Sequence, residues 1–253
     1  MRTIPIRNAE IEVDLINVKS TLAPIIFLHE GLGSVAMWRS KLGYWPELVC
    51  QATGRSGVVY SRRGYGQSSW IDDVRGANRL QPDYMQREAW EVLPELLSTL
   101  QIENPVLLGH SDGATIALLF ASRFATSACI AMAPHVIVED ISIRSIEAAK
   151  IAYETGDLKT RLTKFHQDVD CAFWQWNDIW LSPGFRAFNI QEECLQITAP
   201  VLALQGEDDA YGSLRHILDL KTAGQIKQVV LKDRKSTRLN SSHSQQSRMP
   251  SSA

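Results

Sequence analysis

A serine lies between two glycines in the segment Val106–Ala114, where an apolar run typical of a strand gives way to one typical of a helix. The pattern is G-x-S-x-G, with Gly109 and Gly113 on either side of Ser111. A sharp strand–turn–helix junction strains the serine backbone and lifts its hydroxyl above the sheet edge, at a helix N-terminus whose dipole favours developing negative charge. The bare pattern also fits a glycine-bounded turn with a surface serine, but the surrounding strand and helix favour a nucleophile.

The elements around this turn alternate along the chain in a way that predicts an α/β fold. Short apolar runs alternate with stretches of helical periodicity, which predicts a mostly parallel twisted sheet flanked by helices, with right-handed crossovers. The alternating run at 11–18 predicts a half-buried edge strand, and helices are expected over Ala36–Gln51 and over 83–101, the latter with Asp83 as N-cap and a kink at Pro94. The other predicted strands are PIIFLH, GVVYS, PVLLGH, ACIAM, APVLALQG and IKQVVLKD.

Residues 136–195 interrupt this alternation. Their pattern is mostly helical, and they are rich in aromatic residues, among them Trp174 and Trp176. Because they stand between two predicted sheet strands, we expect an insertion above the sheet. A helical lid over a pocket and ordinary helix packing around core aromatics both fit this pattern, and the two are compatible.

The last twenty residues differ in composition from the rest of the chain. Residues 234–253 hold seven serines, four basic residues and no acidic residue. They have too little apolar surface to offset the entropy of ordering, so we expect disorder. The segment resembles translated sequencing-adapter or vector sequence, with a native basic tail as the alternative, and we place the folded domain at 1–233.

Composition and charge exclude several classes of function. The 26 basic and 28 acidic residues give a net charge of −2, and because four of the basic residues lie in 234–253, residues 1–233 carry −6. Nucleic acid is therefore not an expected partner. The chain has no run of 18 apolar residues, no signal-peptide core at its N-terminus, and four scattered cysteines that suit reduced thiols. These features predict a cytoplasmic protein without a membrane partner, and they leave the oligomeric state open.

The chain resembles the α/β-hydrolase superfamily, in its group of small lid-bearing esterases, enol-lactonases and carbon–carbon bond hydrolases. The resemblance covers about residues 1–233. The segment Leu28–Ser34, LHEGLGS, is similar to the family's H-G-x-x-G loop. This similarity implies an oxyanion hole formed by the backbone amides of Gly31 and of Asp112, the residue after the nucleophile. Glu30 departs from the usual glycine, and either a local salt bridge or a role in substrate choice fits it.

Two further segments extend the resemblance. The segment Ser61–Ser68, SRRGYGQS, is similar to the family's D-x-R-G-x-G-x-S turn, with Ser61 in place of the aspartate, and a structural role is expected for it. The segment Leu204–Asp209, LQGEDD, is similar to the family's G-x-x-D strand end. This similarity implies Asp209 as the acid of a catalytic triad, with Asp208 as the alternative.

The resemblance also implies a histidine shortly after the last strand, and the chain has none there. No histidine occurs between His216, expected to be a surface residue, and His243, which lies in 234–253. We expect that the loop with the catalytic histidine and the final helix are missing, which predicts impaired activity. The remaining candidates for the pocket are His29, Glu30, His110, His135, Trp174 and Trp176.

The function implied by the resemblance is that of a serine hydrolase working through an acyl-enzyme. Ser111 would attack a small carboxylic ester, enol-lactone or vinylogous diketone, a histidine would move the proton, and Asp209 would orient that histidine. An aromatic insertion favours a small-molecule substrate with an aromatic or alicyclic part. No metal and no organic cofactor is implied. A non-enzymatic small-molecule receptor on the same scaffold, and a cofactor-free haloperoxidase or thioesterase, are the alternatives.

Overall fold

A computed structural model describes residues 2–232 of the chain, and a large mixed sheet runs through it. The strands in this part of the chain are β1 (Arg2–Ile6), β2 (Ala9–Ile16), β3 (Ile25–Leu28), β4 (Arg39–Ser40), β5 (Gly43–Tyr44), β6 (Gly57–Tyr60), β7 (Val106–His110), β8 (Ala128–Met132), β9 (Val201–Gly206) and β10 (Ile226–Leu231). Strands β4 and β5 pair only with each other, and the other eight pair in the order β1-β2-β6-β3-β7-β8-β9-β10. All pairs from β6 to β10 are parallel, whereas β2 is antiparallel to β1 and to β6. The predicted fold class, a mostly parallel sheet flanked by helices, is confirmed.

One edge of the main sheet differs from the prediction. Strand β2 was expected to be an edge strand, but it pairs on both sides, with β1 and with β6. The edge strand beside it is β1, where Pro5 lies opposite Glu10. Proline lacks the N–H that a central strand needs, so its place in an edge strand is the usual one.

Helices cover both faces of the sheet and form its longest connections. The α-helices of residues 2–232 are α1 (Trp45–Thr53), α2 (Tyr84–Arg87), α3 (Leu93–Thr99), α4 (Asp112–Ala121), α5 (Asp140–Thr155), α6 (Leu158–Leu162), α7 (Val169–Trp180), α8 (Gln191–Cys194) and α9 (Arg215–Leu218). The helix predicted over Ala36–Gln51 is wrong in its first half. A 3₁₀ turn at Val35–Trp38 and the β4–β5 hairpin precede α1, which has Pro46 in its first turn, where the missing N–H costs nothing.

The predicted helix over 83–101 forms in three parts. One π-helical turn, Glu88–Val92, joins α2 to α3, and Pro94 follows in the first turn of α3. Proline cannot donate to the carbonyl one turn earlier, and a wider turn beside it is a common accommodation. Asp83 precedes the helix as predicted, but its carboxylate makes no capping bond and pairs with Arg87 at 2.8 Å instead.

The segment between β8 and β9 is helical, as expected for 136–195. Its elements are α5, α6, α7, a 3₁₀ turn at Pro183–Ala187, and α8. The rings of Tyr153 and Phe173 stack with their centres 3.7 Å apart, and Trp180 and Phe185 are fully buried. The aromatic residues therefore hold the insertion together and onto the rest of the domain.

The centre of the sheet and its β10 edge differ in how well they are covered. All ten residues of α4 are buried, so the helix that follows Ser111 is packed on every side. In contrast, no residue of β10 is fully buried.

No helix in residues 2–232 is long and apolar enough to cross a membrane. The features predicted for 234–253 lie outside the described residues.

Candidate active site

The backbone of Ser111 has the strained conformation that its motif predicts. Its φ is 53° and its ψ is −120°, between the end of β7 and the start of α4. A Cβ at Gly109 would lie 2.5 Å from the Ala114 nitrogen, and one at Gly113 would lie 2.6 Å from the His29 carbonyl oxygen. Both glycines are therefore required by close backbone approach. The turn brings the serine directly against the loop that follows β3.

The amide of Asp112 is aimed by the peptide that it shares with Ser111. The Ser111 carbonyl accepts from the amides of Ala114 at 2.9 Å and Thr115 at 3.1 Å, so it points into the first turn of α4. In a trans peptide the N–H points opposite to the C=O. The Asp112 N–H therefore points out of the helix N-terminus, where a developing anion is stabilised.

The amide of Gly31 is aimed in the same way, by a carbonyl that is held even more firmly. The Glu30 carbonyl accepts three hydrogen bonds: from the Gly33 amide at 3.0 Å, from His29 Nδ1 at 2.7 Å and from Arg62 Nη2 at 3.1 Å. Trans planarity then directs the Gly31 N–H away from Arg62. The amides of Gly31 and Asp112 thus lie on contacting loops, and the oxyanion hole expected from the sequence would be formed by these two groups.

Trp176 and Trp174 occupy different places in the insertion. A Cβ at Gly31 would lie 2.5 Å from Cδ1 of Trp176, so this indole packs on the loop with the first amide. Trp174 instead lies under the Arg75 guanidinium, 3.7 Å from its ring centre, and against the ring of Tyr153. Only Trp176 of the two is placed beside the predicted site.

Asp209 lies at the end of β9, two strands from β7 in the sheet. It is half-buried and accepts a hydrogen bond from the Tyr211 amide at 2.8 Å, whereas Asp208 is exposed. Its side chain borders an open groove of about 530 Å³, whose other lining includes Glu207, Gly212, Ser213, Arg215 and Asp219. Of the two aspartates considered as the triad acid, Asp208 and Asp209, only Asp209 is partly buried.

Two of the buried histidines serve the backbone of the loops. His29 donates from Nδ1 to the Glu30 carbonyl and accepts the Arg62 amide at Nε2, at 3.1 Å. Burial, and then the charge of Arg62, lower the pKa of His29 well below its ordinary value, so the ring is neutral. His166, from the insertion, accepts the Gly66 amide and donates to the Leu32 carbonyl, each at 3.0 Å. Both rings have their nitrogens engaged by backbone.

His216 is not the surface residue that the sequence predicted. It is fully buried, and its Nδ1 accepts the Val136 amide at 3.2 Å. Its Nε2 lies 3.0 Å from the Glu139 carboxylate, which also accepts from the amide and hydroxyl of Ser213. Burial, and then the nearby His135, lower the pKa of His216 to about 3. His216 therefore joins the start of the insertion to the loop after β9.

His110 and His135 lie closer to the predicted chemistry. His110 Nδ1 is 3.6 Å from the Glu30 carboxylate. Burial alone would lower the pKa of His110, but Glu30, and after it Asp209, raise it above the ordinary value. Nε2 of His135 lies 3.3 Å from the Tyr211 carbonyl, and its Nδ1 has no hydrogen-bond partner in the described part of the chain. Burial lowers the pKa of His135.

No histidine within residues 2–232 hydrogen-bonds the Ser111 hydroxyl. His243, considered from the sequence, lies outside those residues. Glu30 pairs with His110 while folding over Gly33, where an added Cβ would lie 2.8 Å from its Oε2. A local salt bridge and a role in substrate choice were both considered for Glu30. In either case its carboxylate lies beside the turn that carries Ser111.

The structure adds buried polar groups that the sequence did not single out. Asp112 Oδ2 accepts from the Tyr84 hydroxyl at 2.7 Å and lies 4.0 Å from Arg62 Nη2. Trp180 of the insertion donates to the Tyr84 oxygen at 3.0 Å. Neither Tyr84 nor Arg62 carried a distinguishing signal, because one is the first residue of an amphipathic helix and the other is one of two adjacent arginines.

Glu12 explains why Ser61 can stand where the related turn has an aspartate. The Ser61 hydroxyl donates to the Glu12 carboxylate at 2.6 Å, and the Gln67 amide donates to the same oxygen at 2.9 Å. A carboxylate from the neighbouring strand β2 thus supplies the acceptor for the turn. The regular alternation of polar and apolar residues in β2 gave no sign that Glu12 would be buried.

Comparisons with known proteins agree with this architecture. The family model described as alpha/beta hydrolase fold matches residues 23–147. No curated protein sequence matches the chain. Among solved structures, the enol-lactonase from Burkholderia xenovorans LB400 is similar with 15% identity, a TM-score of 0.64 and 91% of each chain covered. A carboxylesterase structure from Nitrososphaera gargenis has 14% identity and a TM-score of 0.63, covering 90% of this chain and 89% of that one.

A third similar structure is the proline iminopeptidase of Mycobacterium smegmatis, with 18% identity, a TM-score of 0.60, and 91% of this chain and 89% of that chain covered. At such identities the likeness establishes the fold. Sheet order, the turn at Ser111 and the family match define an α/β-hydrolase fold. The similar solved structures named here are those of hydrolytic enzymes.

Proposed function

We propose that the protein is a serine hydrolase of small carboxylic esters or lactones, with Ser111 as the nucleophile. The observation that carries the proposal is the backbone of Ser111, at φ 53° and ψ −120°, on a turn flanked by two outward amides. A non-glycine residue in this region costs of order 1–3 kcal/mol, and such strain persists where the surroundings over-determine it, often at active sites.

The first step is attack of Ser111 Oγ on the substrate carbonyl. A bond forms between Oγ and the carbonyl carbon, and the negative charge that develops on the carbonyl oxygen is held by the amides of Gly31 and Asp112. The bond to the leaving oxygen then breaks, this oxygen takes up the proton lost from Oγ and departs as the alcohol, and the acyl group remains on the serine. Water attacks this acyl-enzyme, releases the carboxylic acid and returns the proton to Oγ.

Proton transfer is the step for which the described residues offer the fewest candidate groups. A serine hydroxyl is a weak nucleophile at neutral pH without an adjacent base. Asp209 borders an open groove in which a base could approach from solvent. We therefore expect slow turnover by the chain alone, and acceleration by an added base that is small enough for the groove.

The neighbours in structure suggest the class of substrate. Their names include an enol-lactonase and a carboxylesterase, which cleave carbonyl–oxygen bonds. Packing of the apolar Trp176 indole on Gly31 favours a substrate whose acyl part is aromatic or alicyclic. An enol-lactone or a phenyl ester would satisfy both features.

The experiment is hydrolysis of p-nitrophenyl acetate by the full chain, with increasing imidazole as the external base. We expect a saturable, imidazole-dependent rate about tenfold above that without imidazole, part of the ~10²–10⁴-fold that a positioned general base contributes. Ser111→Ala corrects for hydrolysis by imidazole itself and should abolish the saturable part. Asp209→Asn should reduce it, whereas Asp208→Asn, at the exposed neighbour, should leave it unchanged.

The same assay distinguishes a hydrolase from a small-molecule receptor on the same scaffold. Mass spectrometry of the stalled reaction should find an acetyl group on Ser111. If Ser111→Ala keeps the full imidazole-dependent rate, the proposed nucleophile is wrong. If Ser111 is neither acylated by this ester nor phosphonylated by a fluorophosphonate, the scaffold is better described as a small-molecule receptor.

A further inference from the structure

We propose that Arg62 is a positioning residue for the oxyanion hole, because its guanidinium fixes the direction of the Gly31 amide and ties that loop to Asp112. The inference rests on the proposed function, since it assigns a role within the same site. It goes beyond the two amides themselves, because Arg62 touches neither substrate nor reacting atoms.

The guanidinium of Arg62 reaches both loops that carry the amides. Nη1 donates to the His29 carbonyl at 2.7 Å, and Nη2 donates to the Glu30 carbonyl at 3.1 Å. Nη2 also lies 4.0 Å from the Asp112 carboxylate. One side chain therefore joins the two peptides just before Gly31 to the residue just after Ser111.

The hydrogen bond to Glu30 decides where the Gly31 amide points. The Glu30 carbonyl and the Gly31 N–H belong to one planar trans peptide, so fixing the first in direction fixes the second. A free glycine-flanked peptide can rotate at low cost, because glycine allows most φ and ψ values. Of the three donors to the Glu30 carbonyl, Arg62 is the one that comes from outside the loop.

The cost of burying this charge argues that the position needs an arginine. Arg62 is only 5% exposed, and an unpaired buried cation is strongly unfavourable. Burial alone would lower the pKa of Arg62, but Tyr65 and Asp112 raise it above the ordinary value, so the side chain stays charged. A planar fork can serve two carbonyls at once, whereas a lysine ammonium is a single point charge.

The first test uses the imidazole-dependent ester assay. Arg62→Ala should lower kcat about 100-fold, comparable with loss of one oxyanion donor, while KM changes less than about twofold. Methylguanidinium should restore about tenfold by entering the space left by the side chain, and ammonium should not. Arg62→Lys should stay impaired, and Arg63→Ala, at the exposed neighbour, should behave as the parent.

The second test does not depend on turnover. Titration of the parent with sodium acetate, followed by amide NMR, should shift the resonances of both Gly31 and Asp112, because a carboxylate fits an oxyanion hole. In Arg62→Lys the Gly31 shift should be lost while the Asp112 shift remains. Circular dichroism establishes which variants fold, and Arg62→Lys carries the test if Arg62→Ala does not fold.

The outcomes are distinguishable from failure of the proposed function. If Ser111→Ala is as active as the parent, the hydrolase proposal fails, and the NMR titration alone decides the role of Arg62. A folded Arg62→Lys with the parent's acetate shift at Gly31 overturns the positioning role. Acetate that shifts neither amide in the parent overturns it too, because there would be no hole to position.

Discussion

The nucleophile side and the acid side of the site differ in how completely their polar groups are held. On the nucleophile side, the Glu30 carbonyl has three donors and the Ser111 carbonyl is fixed inside α4. On the acid side, Asp209 is half-buried, has one backbone donor and borders an open groove. The strands differ less, since four of the five residues of β7 and four of the six residues of β9, which ends beside Asp209, are buried, whereas none of β10 at the sheet edge is.

This difference separates two parts of hydrolytic chemistry. Stabilisation of an oxyanion depends on donors that are fixed before the reaction begins. Proton transfer depends on a base placed within hydrogen-bond reach of the serine. Within residues 2–232 the amides proposed for the first requirement are fixed by buried backbone, whereas the only group proposed for the second is Asp209, an acid beside open space. Substitutions on the two sides should therefore differ greatly in effect.

The largest effect is expected at Gly113, where the two buried loops touch. Gly113→Ala places a Cβ against the carbonyls of Leu28 and His29, which are backbone atoms that cannot move alone. We expect a loss of about 3 kcal/mol in the free energy of unfolding. Urea denaturation measures it, with Gly184→Ala as control, because a Cβ there meets only Pro82 Cγ, at 3.2 Å. Equal stability of the two variants would contradict the close approach.

A smaller effect is expected from the Tyr84 hydroxyl. Tyr84→Phe leaves the buried Asp112 carboxylate without its 2.7 Å donor, and it removes the acceptor of the Trp180 indole. Loss of a hydrogen bond to a buried charge costs about 2 kcal/mol. Thermal and urea unfolding should show this loss, and an acetate titration of the variant should show a weakened shift at the Asp112 amide. A variant as stable as the parent would mean that Arg62 alone suffices for Asp112.

The sequence predicted the conformation of the Ser111 turn well because its signals are local. Glycines at fixed spacing around Ser111, and an apolar strand and helix on either side, are consequences of one turn. The partners of that turn are not local. Glu12, Arg62 and Tyr84 reach the site from separate elements, and their burial depends on tertiary packing that no periodicity reports.

His216 was misjudged for the same reason. Its helix, α9, has four residues, too few to show an apolar face, and its burial comes from contact with the start of the insertion. The edge strand β1 was missed because a five-residue strand with a proline lacks the alternation that identified β2. The conformation of the Ser111 turn and most of the strands along the chain could be predicted. Which polar groups the fold would bury together could not.

His216 also provides a pH-dependent test of how the loop after β9 is joined to the start of the insertion. Its pKa is lowered by burial to about 3, so between pH 6.5 and 3 the unfolded chain binds a proton there that the native chain does not. Stability attributable to this group is therefore greatest above pH 6.5 and falls as the pH decreases, by up to about 1.4 kcal/mol per pH unit.

The measurement is urea denaturation of the parent and of His216→Asn at pH 7, 6 and 5. Asparagine keeps an acceptor for the Val136 amide but does not titrate. Glu139, whose pKa is lowered, stays ionised over most of this range, while the buried neutral His29 and His135 add slopes of the same sign in both proteins. A parent slope no steeper than that of the variant would show that His216 is charged in the native state.

The smallest effect is expected at the rim of the groove on the acid side. Asp219 accepts from Arg215 at 3.0 Å in an exposed i,i+4 pair, and both residues line the groove beside Asp209. Exposed pairs of this kind contribute about 0.3–0.5 kcal/mol, because water screens them and ordering two long side chains costs entropy. Asp219→Asn should thus unfold within about 0.5 kcal/mol of the parent in urea. A loss as large as that of Tyr84→Phe would remove the contrast between the two sides, since it would require the groove rim to be as tightly coupled to the fold as the buried loops around Ser111.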